Sequence, residues 1–93
     1  MDVDVRHNPE ASRYEISVDG AVVGVADYRV TGDRVVFAHT EIEPPMRGRG
    51  FAATLVQYAL DDVRGTGRSV VPSCGYVARF IDEHPEYGDL LAA

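Results

Sequence analysis

The sequence has no lysine, one cysteine, little positive charge and no long apolar run. A formal net charge of -6 argues against a general nucleic-acid-binding protein, whose surface is normally basic. A single cysteine excludes an internal disulfide, and no apolar run approaches the length of a membrane span. The first stretch, MDVDVRHNPE, lacks the basic and apolar regions of a secretory signal. We therefore expect a cytoplasmic protein with neither nucleic acid nor membrane as its partner.

The sequence does contain enough apolar side chain to build one core. Its 93 residues are 45% hydrophobic and 26% charged, with both signs of charge present. Length and composition together predict a single folded domain over residues 1–93. No set of histidines, cysteines and carboxylates has the spacing of metal ligands, so no metal site is predicted.

Alternating apolar residues and turn signals predict three strands in the first half of the chain. Asp19-Gly20 is a strong hairpin signal, and Gly24 suggests a bulge within the second strand. Residues 1–12 are interpreted as a polar lead-in. The predicted strands cover residues 14–18, 21–30 and 34–43, joined by tight turns into an antiparallel meander.

The periodicity changes to that of a helix after Gly50. Apolar residues fall on one helical stripe: Phe51, Ala52, Leu55, Val56, Ala59, Leu60 and Val63. A short strand over 68–72 and a second helix over 75–83 follow. The predicted order βββ-α-β-α describes an α+β fold, with two main helices packed on a mostly antiparallel sheet.

The residues Arg47-Gly48-Arg49-Gly50 lie between a predicted strand and the start of a helix. Backbone N–H groups in the first helical turn have no intrahelical partner and carry partial positive charge. Glycines let an anion approach them closely, and arginines add positive charge. The loop is therefore predicted to be a phosphate cradle, although it matches neither the Walker loop nor the dinucleotide fingerprint. The alternative is a tight turn that its arginines keep solvated.

The residues from Ile42 to Ala52 resemble motif A of the GNAT superfamily of acyl-CoA-dependent N-acetyltransferases. Arg47, Gly50 and Ala52 match the fixed places of that motif. The resemblance implies that acetyl-CoA is the cofactor, with its pyrophosphate held by six residues: Arg47, Gly48, Arg49, Gly50, Phe51 and Ala52. It also implies that the pantetheine pairs with backbone between Thr40 and Ile42.

The rest of the chain, from about Tyr14 onwards, is similar to the small stand-alone branch of GNAT-like proteins. Full-size members carry two helices after the first strand, and this chain lacks them. The resemblance then implies an acceptor site that is either very open or completed by a partner. The usual general-acid tyrosine has no clear match, and Tyr76 and Tyr87 are the nearby candidates. The chain is expected to be a monomer or a homodimer.

Cys74, His39 and Glu41 are the predicted catalytic residues. Cys74 follows a short strand and precedes a helix, and the GNAT arrangement would place it beside the acyl group. It is predicted to take or guide that group, the alternative being a buried cysteine that fills space. His39 and Glu41 are two residues apart, about 6.6 Å along a strand, and suit a base and a proton relay. The alternative is a hydrogen-bonded histidine beside a solvated glutamate.

Several other residues receive predictions without catalytic roles. Tyr28 and Arg29 are candidates to line an acceptor site, and His7 is predicted to be a surface or packing residue. Asp61 and Asp62 are interpreted as solvated. The core is predicted to include Phe37, Phe51, Phe80 and Tyr58.

These observations predict a small acetyl-CoA-dependent N-acetyltransferase-like protein acting on a small-molecule or protein acceptor that presents an amine or a thiol. The first alternative is a non-catalytic module that binds coenzyme A or acyl-CoA and acts with a partner. The second is an anion-binding interaction domain that uses its arginines for a phosphorylated partner.

Overall fold

The computed structural model describes residues 1–93 as one five-stranded sheet with two α-helices. The strands, β1 to β5, lie in the sheet in chain order and span Val3–Asn8, Arg13–Val18, Ala21–Thr31, Arg34–Ile42 and Ser69–Pro72. The helices α1 and α2 span Phe51–Thr66 and Gly75–Glu83. Short 3-10 segments occupy Pro9–Ala11, Pro44–Met46 and Pro85–Leu90. Neither α-helix combines the length and the apolar character needed to cross a membrane.

The predicted α+β class is confirmed, with antiparallel pairing from β1 to β4 and parallel pairing between β4 and β5. The prediction of a polar lead-in over residues 1–12 is wrong, because these residues contain β1. Only Val5 and Asn8 of this strand are even partly buried. The strand therefore shows little apolar signal, and backbone pairing with β2 holds it in the sheet.

The turn between β2 and β3 and the bulge that follows it are both confirmed. Asp19 and Gly20 have φ angles of 50° and 86°, as a two-residue hairpin with right-handed strand twist requires. The register between β2 and β3 shifts beside Gly24. A Cβ atom at Gly24 would clash with the side chain of Ile42, so glycine permits the close approach of β4.

Helix α1 packs its predicted apolar stripe against the sheet. The buried members are Phe51, Leu55, Val56, Ala59, Leu60 and Val63, and they share one hydrophobic cluster with Val77 and Phe80 of α2. Tyr58 is 42% exposed, so its predicted place in the core is wrong. Gly67, with φ 75°, ends the helix in the left-handed conformation that glycine favours.

Candidate active site

The sheet opens between β4 and β5. These strands pair only from Arg34 to Phe37 on β4, and the last link is the N–H of Cys74, which donates to the carbonyl of Phe37 at 2.9 Å. Strand β4 continues to Ile42 with no neighbour on that side. We call the resulting gap the cleft.

The free edge of β4 presents unpaired backbone groups to the cleft. The N–H of Glu43 donates to the carbonyl of Val23 at 2.8 Å, which turns Glu43 toward β3. Because backbone groups alternate in direction along a strand, Thr40 and Ile42 turn theirs away from β3. The carbonyl of Ile42 already accepts a hydrogen bond from Nε of Arg47 at 2.9 Å.

The loop before α1 exposes a run of backbone donors. Gly48 and Gly50 have φ angles of 77° and 80°, and no atom lies within 4 Å of where their Cβ atoms would be. None of the six consecutive N–H groups from Gly48 to Ala53 donates a hydrogen bond. The first intrahelical bond is from the N–H of Thr54 to the carbonyl of Gly50, at 3.1 Å. The loop is thus an open set of donors at the positive end of a helix dipole.

The loop and the β4 edge border the same cavity, which has a volume of about 400 Å³. Four residues of the predicted coenzyme site line it: Thr40, Ile42, Arg47 and Ala52. His39, Glu41 and Tyr76 complete the lining. Phe51 faces the core and is only 6% exposed, so it offers the cavity an N–H group and no side chain. The side chain of Arg49 is exposed.

Cys74 lies at the start of α2, beside Thr40. Its Sγ atom is 3.5 Å from Oγ1 of Thr40, and the residue is half-buried. Burial raises the pKa of the Cys74 thiol, but hydrogen bonds from the Thr40 hydroxyl and from the N–H groups of Val77, Tyr76 and Thr40 outweigh it. The pKa therefore falls below its ordinary value. Every one of these donors stabilises a thiolate.

His39 and Glu41 form a separate pair. Nε2 of His39 is 3.6 Å from Oε1 of Glu41, and their side chains are 55% and 60% exposed. Side chains alternate along a strand, so this pair lies on the face opposite to Thr40. No hydrogen bond or ion pair joins His39 to Cys74. The structure therefore brings Cys74 together with Thr40, and His39 together with Glu41, on two sides of the β4 edge.

The two candidate tyrosines have different surroundings. Tyr76 lines the cavity, and burial, followed by the charge of Glu83, raises the pKa of its phenol. Tyr87 is buried and donates to Asp61 at 2.8 Å. Tyr87 therefore has its hydroxyl committed to Asp61, whereas Tyr76 lines the cavity.

A second polar cluster lies near the other edge of the sheet, and its members are His7, Tyr14, Tyr28 and Asp62. Nε2 of His7 is 2.5 Å from the Tyr28 hydroxyl, and Nδ1 of His7 is 3.4 Å from Asp62. Tyr14 donates to the same carboxylate at 2.7 Å. We call these residues the His7 cluster. Asp62 keeps 40% of its side chain exposed, as expected of a solvated residue, and it also accepts a hydrogen bond from Tyr14. His7, predicted to be a surface or packing residue, is 32% exposed at its side chain and stacks on Tyr14.

Residues 13–90 match the model of the family described as GCN5-related N-acetyl-transferase. The chain belongs to this family. Protein NATD1 from Bos taurus is 31% identical over 85 residues, which cover 89% of this chain and 75% of that protein. The GNAT resemblance predicted from the motif is confirmed.

Solved structures agree with the family assignment. A GCN5-like protein from Staphylococcus aureus, solved by NMR, superposes with a TM-score of 0.74 at 15% identity, covering 97% of this chain and 88% of that one. A GNAT family acetyltransferase from Brucella melitensis, crystallised with acetyl-CoA, gives a TM-score of 0.60 at 20% identity. That match covers 77% of this chain and 54% of the other. These comparisons confirm the GNAT-like fold.

The cleft is open to solvent on the side of His39 and Glu41. A 3-10 turn, Pro9–Ala11, joins β1 to β2, and a two-residue turn joins β2 to β3. The side chains of His39 and Glu41 are both more than half exposed.

Proposed function

We propose that this chain is a small acetyl-CoA-dependent acyltransferase that transfers an acetyl group to an amine or thiol acceptor. The observation that supports this best is the run of six unpaired N–H groups from Gly48 to Ala53, which borders an open cleft. Backbone donors at a helix N-terminus bind phosphate oxygens well. The adjacent β4 edge offers backbone groups that an extended amide chain can pair with.

The donor substrate would therefore bind in two parts. The pyrophosphate would accept hydrogen bonds from the loop between Arg47 and Ala52, with the exposed Arg49 supplying additional positive charge. The pantetheine arm would run along β4 and pair with the backbone of Thr40 and Ile42. Since Arg47 occupies the carbonyl of Ile42, that side chain would have to move if the pantetheine uses the same carbonyl.

Cys74 would carry the acetyl group in a two-step route. Its thiolate attacks the thioester carbonyl, a new carbon–sulfur bond forms, and the bond to the coenzyme sulfur breaks. The departing coenzyme thiolate takes a proton from the phenol of Tyr76, which lines the cavity, and Tyr76 regains a proton from solvent. An amine or thiol then enters from solvent and attacks the carbonyl carbon of acetyl-Cys74. It loses its proton to His39, and the bond from that carbon to sulfur breaks and releases the Cys74 thiolate. Glu41, whose Oε1 atom lies 3.6 Å from Nε2 of His39, would relay that proton to solvent.

The donor site is tested by calorimetric titration with acetyl-CoA. We expect micromolar binding to the natural sequence and no binding to Gly50→Glu, which places a carboxylate among the donors and strains a left-handed position. Gly32→Glu is the matched control, because Gly32 also has a positive φ, 62°, and lies in the turn before β4. Loss of binding in both variants, or no binding to the natural sequence, would contradict the proposal.

The alternative is a module that binds coenzyme A or acyl-CoA without efficient catalysis. Its support is the separation of the His39–Glu41 pair from Cys74, with no bond between them. Acetyl-CoA binding without transfer to any member of a broad amine panel, and without an acetyl-Cys74 adduct, would favour this alternative. A phosphorylated partner bound at the same loop would instead be displaced by coenzyme A.

A further inference from the structure

The first strand of the sheet has one free edge. Strand β1 pairs with β2 only, and the carbonyl of Asp2 accepts from the N–H of Asp19 at 2.8 Å. Because backbone groups alternate in direction along a strand, Val3, Val5 and His7 turn their N–H and C=O groups outward. This edge is a ready template for another strand.

The side chains of β1 make the strand complementary to itself. Asp4 and Arg6 lie on one face, with Nε of Arg6 2.8 Å from the Asp4 carboxylate. Both side chains are more than half exposed. Suppose that two β1 strands pair antiparallel, related by a twofold axis that passes through Val5. Each Asp4 then lies opposite an Arg6 of the second copy. The outward-turned residues Val3, Val5 and His7 then face His7, Val5 and Val3, and all their backbone groups can pair.

Neighbouring registers lack this complementarity. An axis at Asp4 would oppose two carboxylates, and an axis at Arg6 would oppose two guanidinium groups. A twofold axis that falls between two residues would place the outward-facing backbone groups of one strand opposite the inward-facing groups of the other. The hydrogen bonds between the two strands could then not form. Like charges directly opposite each other destabilise a strand pair, whereas opposite charges stabilise it. Only the axis at Val5 satisfies both the backbone and the charges.

We propose that β1 is a self-association edge through which a second copy of this chain pairs antiparallel about Val5. The two sheets then become continuous across the axis. Val3, 41% exposed in the single chain, gains cover from the second copy. Strand β1 lies at the opposite edge of the sheet from β5, so the cleft of each copy stays open and the association does not depend on the proposed function.

Charge exchange tests this register directly. Sedimentation equilibrium should show a concentration-dependent dimer for the natural sequence. Arg6→Asp and Asp4→Arg each place like charges opposite one another and should raise the dissociation constant by about tenfold or more. An equimolar mixture of these two variants restores opposite charges across the axis and should form a heterodimer. The double exchange in one chain should restore the homodimer.

A backbone variant separates the edge from other surfaces. Val5→Pro removes an N–H that faces outward, so it should abolish the dimer while circular dichroism and acetyl-CoA binding stay unchanged. A monomeric natural sequence at every concentration would overturn the proposal. So would a dimer that survives Val5→Pro, or single charge variants that fail to associate when mixed although both are folded.

Discussion

The His7 cluster and the cleft each combine a histidine, a carboxylate and a side chain able to act as a nucleophile. In the His7 cluster, distances of 2.5 to 3.4 Å join His7 to Tyr28 and Asp62, and the adjoining space is only about 40 Å³. In the cleft, the closest such pairs are 3.5 and 3.6 Å apart, beside a space of about 400 Å³. Residue types alone would rate the two places equally. Unpaired donors and room for a ligand distinguish them.

The difference has a topological cause. Over the His7 cluster, α1 supplies Asp62 as an acceptor, and Tyr14 is almost wholly buried, at 2% exposure. At the cleft, β5 ends opposite Phe37 while β4 runs on to Ile42. The register of β3 with β4 also skips Ala38, which places a bulge at the point where the gap begins. The fold therefore satisfies the hydrogen bonds of the His7 cluster and leaves polar groups of the cleft free to bind a ligand.

The largest expected effect concerns Cys74 in the cleft. After incubation with acetyl-CoA, the natural sequence should gain one hydroxylamine-labile acetyl group in its intact mass. Cys74→Ala should lower the yield of that adduct by about three orders of magnitude or more, as removal of a nucleophile does. The chain has no lysine, so the N-terminal amine is the main competing site, and its amide resists hydroxylamine. An undiminished labile adduct in Cys74→Ala would reject the two-step route.

The second prediction concerns the stability of the His7 cluster. Asp62→Ala leaves the buried Tyr14 hydroxyl without its acceptor and should lower the free energy of unfolding by about 1–3 kcal/mol. Tyr14→Phe removes the donor as well and should cost less. Urea denaturation measures both. Acetyl-CoA affinity should not change in either variant, and a parallel loss of affinity would show that the two clusters are coupled.

The third prediction concerns the proton affinity of Cys74. Because the pKa of Cys74 is lowered, the pH at which its alkylation rate is half-maximal should lie below that of an ordinary thiol. Thr40→Val removes the hydroxyl donor and should raise the midpoint, whereas Thr40→Ser keeps a hydroxyl and should leave it nearly unchanged. Equal midpoints in all three proteins would mean that Thr40 does not stabilise the thiolate.

The smallest expected effect appears only at alkaline pH. It concerns Tyr87, whose phenol donates a hydrogen bond to Asp61 of α1. Burial, and then the bond to Asp61, raise the pKa of Tyr87 to about 12. The pKa of a tyrosine in the unfolded chain is about 10. Below that pH, the protonated phenol of Tyr87 makes its full contribution to the free energy of unfolding. This contribution is lost as the pH rises toward about 12. Denaturation at increasing pH should show a shallower decline for Tyr87→Phe than for the natural sequence, and identical declines would contradict the assignment.

The local elements could be predicted because their signals are local. The alternation in β2, the Asp19-Gly20 turn, the bulge at Gly24 and the stripe of α1 all depend on residues within a few positions of one another. Strand β1 could not be predicted in this way. Its side chains are largely exposed, and its place in the sheet comes from backbone pairing with β2, from Asn8 opposite Arg13 to Val3 opposite Val18.

The roles of individual aromatic and acidic residues needed long-range contacts. Tyr28 was expected beside an acceptor, yet it faces His7 and packs against Phe37. Asp61 and Asp62 contact solvent as expected, and each also accepts a phenol hydrogen bond from a distant part of the chain. A sequence pattern shows which face of an element is apolar, but it does not show which polar groups will meet.

The sequence by itself determined the family, the glycine loop at the start of α1 and the order of the elements after Ser12. Those features depend on left-handed glycines, helix periodicity and a contiguous motif, all of which are written in neighbouring residues. The tertiary structure decided that Thr40 would meet Cys74, that His39 and Glu41 would stand apart from them, and that the His7 cluster would be closed. These outcomes depend on where β4 and β5 diverge and on what α1 covers, because packing joins residues that are distant in the chain.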